Sequence, residues 1–364
     1  MKSITIVGCG SVGFIHAYYF AKRGYKISFL KTSDYNSTFY EKVKSDGYFE
    51  VIDRGEKKTK VYIDRITKDA NEVIPNADII FITTTTLQHH TVAKLIGPLF
   101  VNGQIICIMP SYASSLIFKN NTLANVKYVE FETTLFNGRI KDSSYININF
   151  RNCRMAAYFE GFSNEEKNSF SKDIIYIDKE AINTFEIAFH NPNMIVHTIG
   201  VLLSASRIEF SKGEFWMYKE AFTPSIIKLI SKFDAEKNLI LQALGCNKLS
   251  YFDAAKWRNE ADLSKNSMEV FRSFAEDSNK GPHQLRHRYL LEDVPMGLSL
   301  FQSVGDILQI DTPIADSVIT LSSALLDEDF KTNGRNIRQI YNNPNIDKTT
   351  FLNKISDPVE PLSS

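Results

Sequence analysis

The sequence predicts an α/β domain followed by an all-α domain. Three observations carry the prediction. A β-turn-α-β unit fills the first thirty or so residues. Strand-length apolar runs then alternate with helical stretches to about residue 180. Beyond that point strand-like runs stop and long helical patterns take over.

Residues 3–7 (Ser-Ile-Thr-Ile-Val) are β-rich and end at Gly8. Residues 11–23 read as a helix closed by Gly24, and residues 27–30 as a second short strand. Residues 77–82 form a buried-type strand that enters the four threonines 83–86. Residues 92–99 read as helical, 103–109 as a strand closed by Pro110, and 126–131 as a further strand leading into Glu132-Thr133-Thr134. Residues 145–150 and 154–159 alternate and are expected at the far edge of the same sheet. In the second half, Thr223-Pro224 supplies an N-cap and a first-turn proline. That helix runs to about Leu244 and stops at Gly245. Asp311-Thr312-Pro313 opens another helix in the same way. A boundary near 182 gives domains 1–182 and 183–355, and the tail from about 356 is expected to fray.

Composition narrows the function. The 42 basic and 42 acidic residues of the 364 cancel, so no net charge points to nucleic acid. Cys9, Cys107, Cys153 and Cys246 form no CxxC pair, which argues against a disulfide framework or structural zinc and fits reduced thiols in a cytoplasmic protein. No signal-peptide core and no apolar run of about 18 residues is found, so neither secretion nor a membrane span is expected.

Gly8-Cys9-Gly10-Ser11-Val12-Gly13 matches G-x-G-x-x-G, directly after a strand and opening a helix. Gly8 permits the tight turn, Gly10 lets the backbone approach a pyrophosphate, and Gly13 lets the helix pack on the strand. The amides that follow, from Ser11 and Val12, offer hydrogen bonds to the phosphates. The first domain therefore reads as a doubly wound parallel sheet of Rossmann type binding NADP or NAD. NAD sites usually carry an acid at the end of the second strand. Here Lys31-Thr32-Ser33 stand there, which suits a 2′-phosphate and favours NADP, with NAD as the alternative. Asp34 is close enough to serve a ribose, and the bland reading of Lys31 is a solvated loop lysine. Thr84, just after the next long strand, joins the expected cofactor contacts.

From residue 183 the chain resembles the opine dehydrogenases, also called octopine/nopaline dehydrogenases. The carrying residues are His190-Asn191-Pro192-Asn193 leading to His197 and Gly200, the stretch Tyr218 to Ser225, Phe233 to Lys237, and above all Arg288-Tyr289-Leu290-Leu291-Glu292-Asp293-Val294-Pro295. Pro75 to Asp78 and Glu132-Thr133 also match. The likeness covers nearly the whole chain. It departs at residues 83–86, at Ala221 in place of a glycine, and at Asn137-Gly138 before Arg139. The resemblance implies an all-α C-terminal domain of 6-phosphogluconate-dehydrogenase-like type. It also implies NAD(P)H-dependent reductive condensation of a 2-oxo acid with an amino group. A catalytic His–Asp pair maps onto His197 and Asp293, and a carboxylate-binding arginine onto Arg288.

The residues support part of this chemistry unaided. Histidine is the natural proton donor near neutral pH, and a carboxylate partner orients it. Asn193 and His197 are spaced i, i+4 and share a helix face, so the amide is a candidate substrate contact. Arg288 offers a bidentate fork to a substrate carboxylate. Its spacing from Asp293 suits a loop running into a helix begun near Pro295, and the site is expected between the domains. The alternatives are that Asp293 only caps a helix, that Glu292 is the working acid, and that Arg288 is a surface ion-pair residue. His283 and His287 lack a metal-site pattern, so no metal is expected. Two other functions compete: a ketopantoate-reductase-like 2-oxo acid reductase, whose usual catalytic lysine has no convincing equivalent here, and a non-catalytic dinucleotide sensor. The substrates are small molecules, and a homodimer is compatible with the apolar helical surface.

Overall fold

The computed structural model describes residues 2–356 apart from Asp277 and Asn279. The tail beyond Ser356 lies outside the described residues. The chain divides between Glu180 and Ala181 into two compact units.

The first unit is built on an eight-stranded sheet. Its strands are β1 (Ser3–Val7), β2 (Lys26–Leu30), β5 (Arg65–Thr67), β6 (Ile79–Ile82), β7 (Ile105–Ile108), β8 (Lys127–Phe131), β11 (Ala156–Glu160) and β12 (Lys179–Glu180). Their order is β12-β11-β8-β7-β6-β1-β2-β5. All pairs are parallel except β11 on β8, where Ala157 faces Phe131. The central strands read Ile-Ile-Phe-Ile and Ile-Ile-Cys-Ile because both faces are covered, which demands apolar side chains at consecutive positions. Strand order reverses direction between β1 and β6. That reversal opens a crevice at the carboxyl ends of the strands, where such sheets bind ligands. The glycine loop lies at the end of β1.

Residues 145–150 do not extend this sheet as expected. They belong to β10 (Tyr145–Arg151) of a separate four-stranded sheet with β9 (Phe136–Lys141), β3 (Tyr48–Asp53) and β4 (Thr59–Tyr62), in the order β4-β3-β10-β9. The alternation does mark a strand, but its partner is remote: β10 pairs in parallel with β3, Ile146 against Val51. The buried face of this sheet packs on the helix α1 (Ser11–Ala21). Gly138 makes that approach possible, because a Cβ there would sit 2.4 Å from the Asn147 carbonyl oxygen and 2.8 Å from Ile15. The unexpected Gly138 is thereby explained.

The loop after β7 is anchored from within. The Glu130 carboxylate at the end of β8 is fully buried and accepts the amides of Ser114 (3.0 Å) and Ser115 (3.3 Å) and the hydroxyls of Ser111 and Ser115. A buried carboxylate is tolerated only with such donors.

The second unit is helical apart from short connections. Its longest helix is Pro224–Ala243, followed by Gly245 at φ +70°, a conformation that suits glycine. Thr223 occupies the N-cap position but makes no side-chain capping bond. The same is true of Thr312 before the helix Pro313–Leu326. There the Glu236 carboxylate does the capping from another helix, accepting the amides of Ile314 (2.8 Å) and Ala315 (3.3 Å). Its neighbours Asp234 and Lys237 form a buried ion pair at 2.6 Å. Asp234 also accepts the Tyr251 amide at 2.8 Å. The motif Phe233 to Lys237 thus holds helices together.

Gly13 is the tightest point of the strand–helix packing. A Cβ added there would lie 2.2 Å from the Gly8 carbonyl oxygen. Gly13→Ala is therefore expected to destabilise the first unit by about 1–3 kcal/mol. Thermal unfolding would report it as a lowered midpoint, and an unchanged midpoint would contradict the packing.

Candidate active site

The glycine loop has the shape a pyrophosphate requires. Gly8 turns the chain at φ +114°. Nothing lies within 4 Å of a Cβ built on Gly10, so the backbone is open to close approach. Helix α1 starts without a side-chain cap and without an acid in its first turn, leaving its amide end for an anion. These observations fit a dinucleotide phosphate. The Ser11 hydroxyl accepts the Ile140 amide at 3.1 Å, so its side chain secures β9 and its backbone faces the helix start. Val12 is half-buried, and its carbonyl accepts the Nδ1–H of buried His16 at 2.7 Å. Burial pushes the His16 imidazole down to about 4 and keeps it neutral.

Beyond β6, Thr83 donates to the Val7 carbonyl at 3.1 Å and fixes the loop against β1. Thr84 abuts Gly8, and its hydroxyl is buried with no protein partner. An unpaired buried hydroxyl is costly, and a ligand polar group would satisfy it. At the end of β2, Lys31 is not the solvated loop lysine of the bland reading. It is buried, its ammonium donates to the Tyr35 carbonyl at 2.5 Å, and burial lowers its pKa. Thr32 is half-buried and Ser33 exposed beside it. Asp34 is almost fully exposed and lies 3.4 Å from Lys68, which offsets its charge.

In the second unit, the helix Asn193–Leu202 carries both Asn193 and His197, one turn apart. Asn193 is half-buried at the first turn and His197 is buried. The His197 Nδ1 donates to the Asp293 carboxylate at 2.8 Å, and both side chains are some 95% buried. Asp293 reaches it from the residue before a π-helical turn, Val294–Leu298, and its side chain makes no capping bond. The capping alternative therefore does not account for Asp293. Glu292 points elsewhere, 3.5 Å from the Arg288 guanidinium. Residues 288–291 are a helical turn and not the loop expected from their spacing, because the His287 side chain accepts the Tyr289 amide and starts a helix there. The Arg288 side chain is half-exposed.

Tyr289 was missed by the sequence reading. Its ring lies flat on the His197 ring, centroids 3.5 Å apart and planes 11° apart. The signal was present: Tyr289 and Asp293 are spaced i, i+4 in a helical stretch, so both reach the same neighbour. Tyr218 packs against Phe222, Phe271 and Phe274. Burial pushes its phenol well above the usual range, Tyr251 and Tyr289 add to the shift, Arg258 opposes it, and Asp293 also raises it.

Comparisons with known proteins match the two units to different family models. Residues 180–326 match the family described as "NAD/NADP octopine/nopaline dehydrogenase, alpha-helical domain", and residues 4–110 match "Ketopantoate reductase PanE/ApbA". An opine dehydrogenase of Arthrobacter sp. (strain 1C) is 26% identical over 353 residues, covering 93% of this chain and 95% of the relative.

The helical unit carries the octopine/nopaline dehydrogenase domain, and the whole chain is similar to opine dehydrogenases.

Among solved structures, octopine dehydrogenase in complex with NADH and agmatine superposes with a TM-score of 0.75 at 16% identity over all of both chains. Yersinopine dehydrogenase with NADP+ bound gives 0.71 at 11% identity over 98% of each. The chain is an NAD(P)-dependent oxidoreductase. Its helical domain is where the family match is specific. The ketopantoate reductase match is confined to the part that carries the glycine loop. Among the described residues there is no cluster of His, Cys, Asp or Glu that could hold a metal, and no helix long and apolar enough to cross a membrane.

The thiols offer a simple check on the cradle. Cys9, inside the glycine loop, is buried, and burial pushes its thiol up to about 12. Cys107 and Cys246 are buried too, and Cys153 is exposed. A disulfide reagent on the native protein at pH 8 is expected to titrate one thiol quickly and the rest only on unfolding. Fast reaction at Cys9 would contradict the packing of the loop.

Proposed function

We propose that the protein condenses the amino group of an amino acid or related amine with a 2-oxo acid such as pyruvate and reduces the C=N bond so formed. The observation that carries this reading is the buried His197–Asp293 pair, set within the residues that match the opine dehydrogenase helical domain. The dinucleotide, when bound, supplies the hydride for the reduction. His197 manages the proton. Asp293 holds Nδ1–H and stabilises positive charge on the ring, so proton transfer falls to Nε2. Burial of both partners keeps competing water away and strengthens their attraction.

Both substrates carry carboxylates. Arg288 is half-exposed, and a guanidinium offers the fork geometry that a substrate carboxylate accepts. Asn193, one turn before His197, is suited to orient a substrate oxygen. For the cofactor, Gly8, Gly10, Gly13 and the amides of Ser11 and Val12 would hold the pyrophosphate, with Thr84 alongside. We favour NADP over NAD. Lys31, Thr32 and Ser33 follow the second strand, where an NAD site would usually carry an acid, and Lys68 offsets Asp34. The presence of agmatine and NADH with octopine dehydrogenase, and NADP+ with yersinopine dehydrogenase, supports both the amine substrate and either dinucleotide. Free thiols support a cytoplasmic setting.

The test follows NADPH and NADH absorbance with pyruvate and pooled amino acids. Oxidation that requires an amine is expected, faster with NADPH. Oxidation by the oxo acid alone, indifferent to amines, would identify a simple 2-oxo acid reductase instead. His197→Ala should lower turnover by about 10²–10⁴-fold while dinucleotide binding persists.

A further inference from the structure

We infer that Tyr289 is a positioning residue for His197, acting through its ring face, an inference that rests on the proposed role of the His197–Asp293 pair. The geometry is unusual for two neutral rings. A centroid separation of 3.5 Å with planes 11° apart leaves almost no lateral offset. Neutral aromatic pairs avoid that face-to-face arrangement, since their negative faces repel, and prefer offset or edge-on contact at about 4.5–7 Å. A cationic ring over a tyrosine face is attracted instead. The stack therefore suits an imidazolium, the form His197 takes when it holds the proton to be transferred. Asp293 favours the same form from the ring edge, 2.8 Å from Nδ1.

Tyr289 is itself held. The His287 ring meets it nearly perpendicular at 4.5 Å, and its amide donates to the His287 side chain at 3.4 Å. The Arg288 guanidinium lies 5.4 Å from its centroid. The helix Asn193–Leu202 fixes the Cα of His197, Asp293 fixes one ring edge, and Tyr289 fixes the ring plane. With those three constraints the remaining nitrogen has a single direction. The tyrosine hydroxyl has no part in this, so phenylalanine should serve and an aliphatic side chain of similar bulk should not.

The experiment compares wild type, Tyr289→Phe, Tyr289→Leu and His197→Asn as full-length proteins. It measures kcat and KM for amine and oxo acid, dinucleotide binding by fluorescence, and thermal unfolding. Tyr289→Leu is expected to lose about tenfold or more in kcat, as small misplacements of catalytic groups do, with KM and dinucleotide affinity within about twofold of wild type. Tyr289→Phe is expected to keep most of kcat. Equal losses in Phe and Leu would overturn the ring-face role, and so would a Leu variant as fast as wild type while His197→Asn is inactive. Full turnover in His197→Asn would remove the pair's role and the inference with it. A drop in unfolding midpoint shared by Phe and Leu, accompanied by equal kinetic losses, would make Tyr289 a packing residue only.

Discussion

The buried carboxylate of Asp293 is the constraint on which the functional reading of the second unit depends. Leaving such a charge unpaired inside a protein costs about 3–5 kcal/mol, so its surroundings must supply a partner. His197 is that partner, and it can be so only because two helical segments nearly a hundred residues apart in sequence are packed together. Asp293 lies just before the π-helical turn Val294–Leu298, where its side chain is released from capping and directed to the imidazole. Wide turns of this kind recur at functional sites. The Arg288–Leu291 turn then adds Tyr289 to the ring face and Arg288 at the half-exposed end. One short stretch of chain thus supplies a carboxylate and an aromatic face to one histidine, with a cation beside that aromatic ring.

The first unit solves a different problem, a backbone that must approach phosphate closely. Its answer is steric and not ionic. Gly8 turns at positive φ, Gly10 faces open space, and Gly13 sits where any side chain would strike the Gly8 carbonyl. Thr83 ties the loop to β1, and Glu130 anchors the loop after β7 through serine hydroxyls and amides. The hydride chemistry of an NAD(P)-dependent oxidoreductase needs a cradle of this kind for its dinucleotide.

Much of this was legible in the residues. The β1–α1–β2 unit, β6, β7 and β8 are local patterns of fixed period, and the glycine loop reports its own stereochemistry. The order of the long helices after residue 183 was legible from Pro at their starts and Gly245 at one end. What was not legible depends on contacts remote in sequence. The alternation of residues 145–150 identified a strand but not its partner β3, about a hundred residues earlier. The threonines before Pro224 and Pro313 gave helix starts, yet the capping of the latter comes from Glu236. Lys31 looked solvated on the bland reading because sequence carries no burial, and the structure buries it. His197, Asp293 and Arg288 were reached through family resemblance. Their geometry is what converts the resemblance into a physical account, and the stacking of Tyr289 on His197 is part of it.

The central claim is that His197 and Asp293 work as one unit. A double-mutant cycle on kcat/KM tests it most directly, using His197→Ala, Asp293→Asn and the double variant. Residues acting as a unit are strongly non-additive. The account predicts that the double variant loses no more than His197→Ala alone. Losses that multiply, each variant costing the same in the presence or absence of the other, would contradict it.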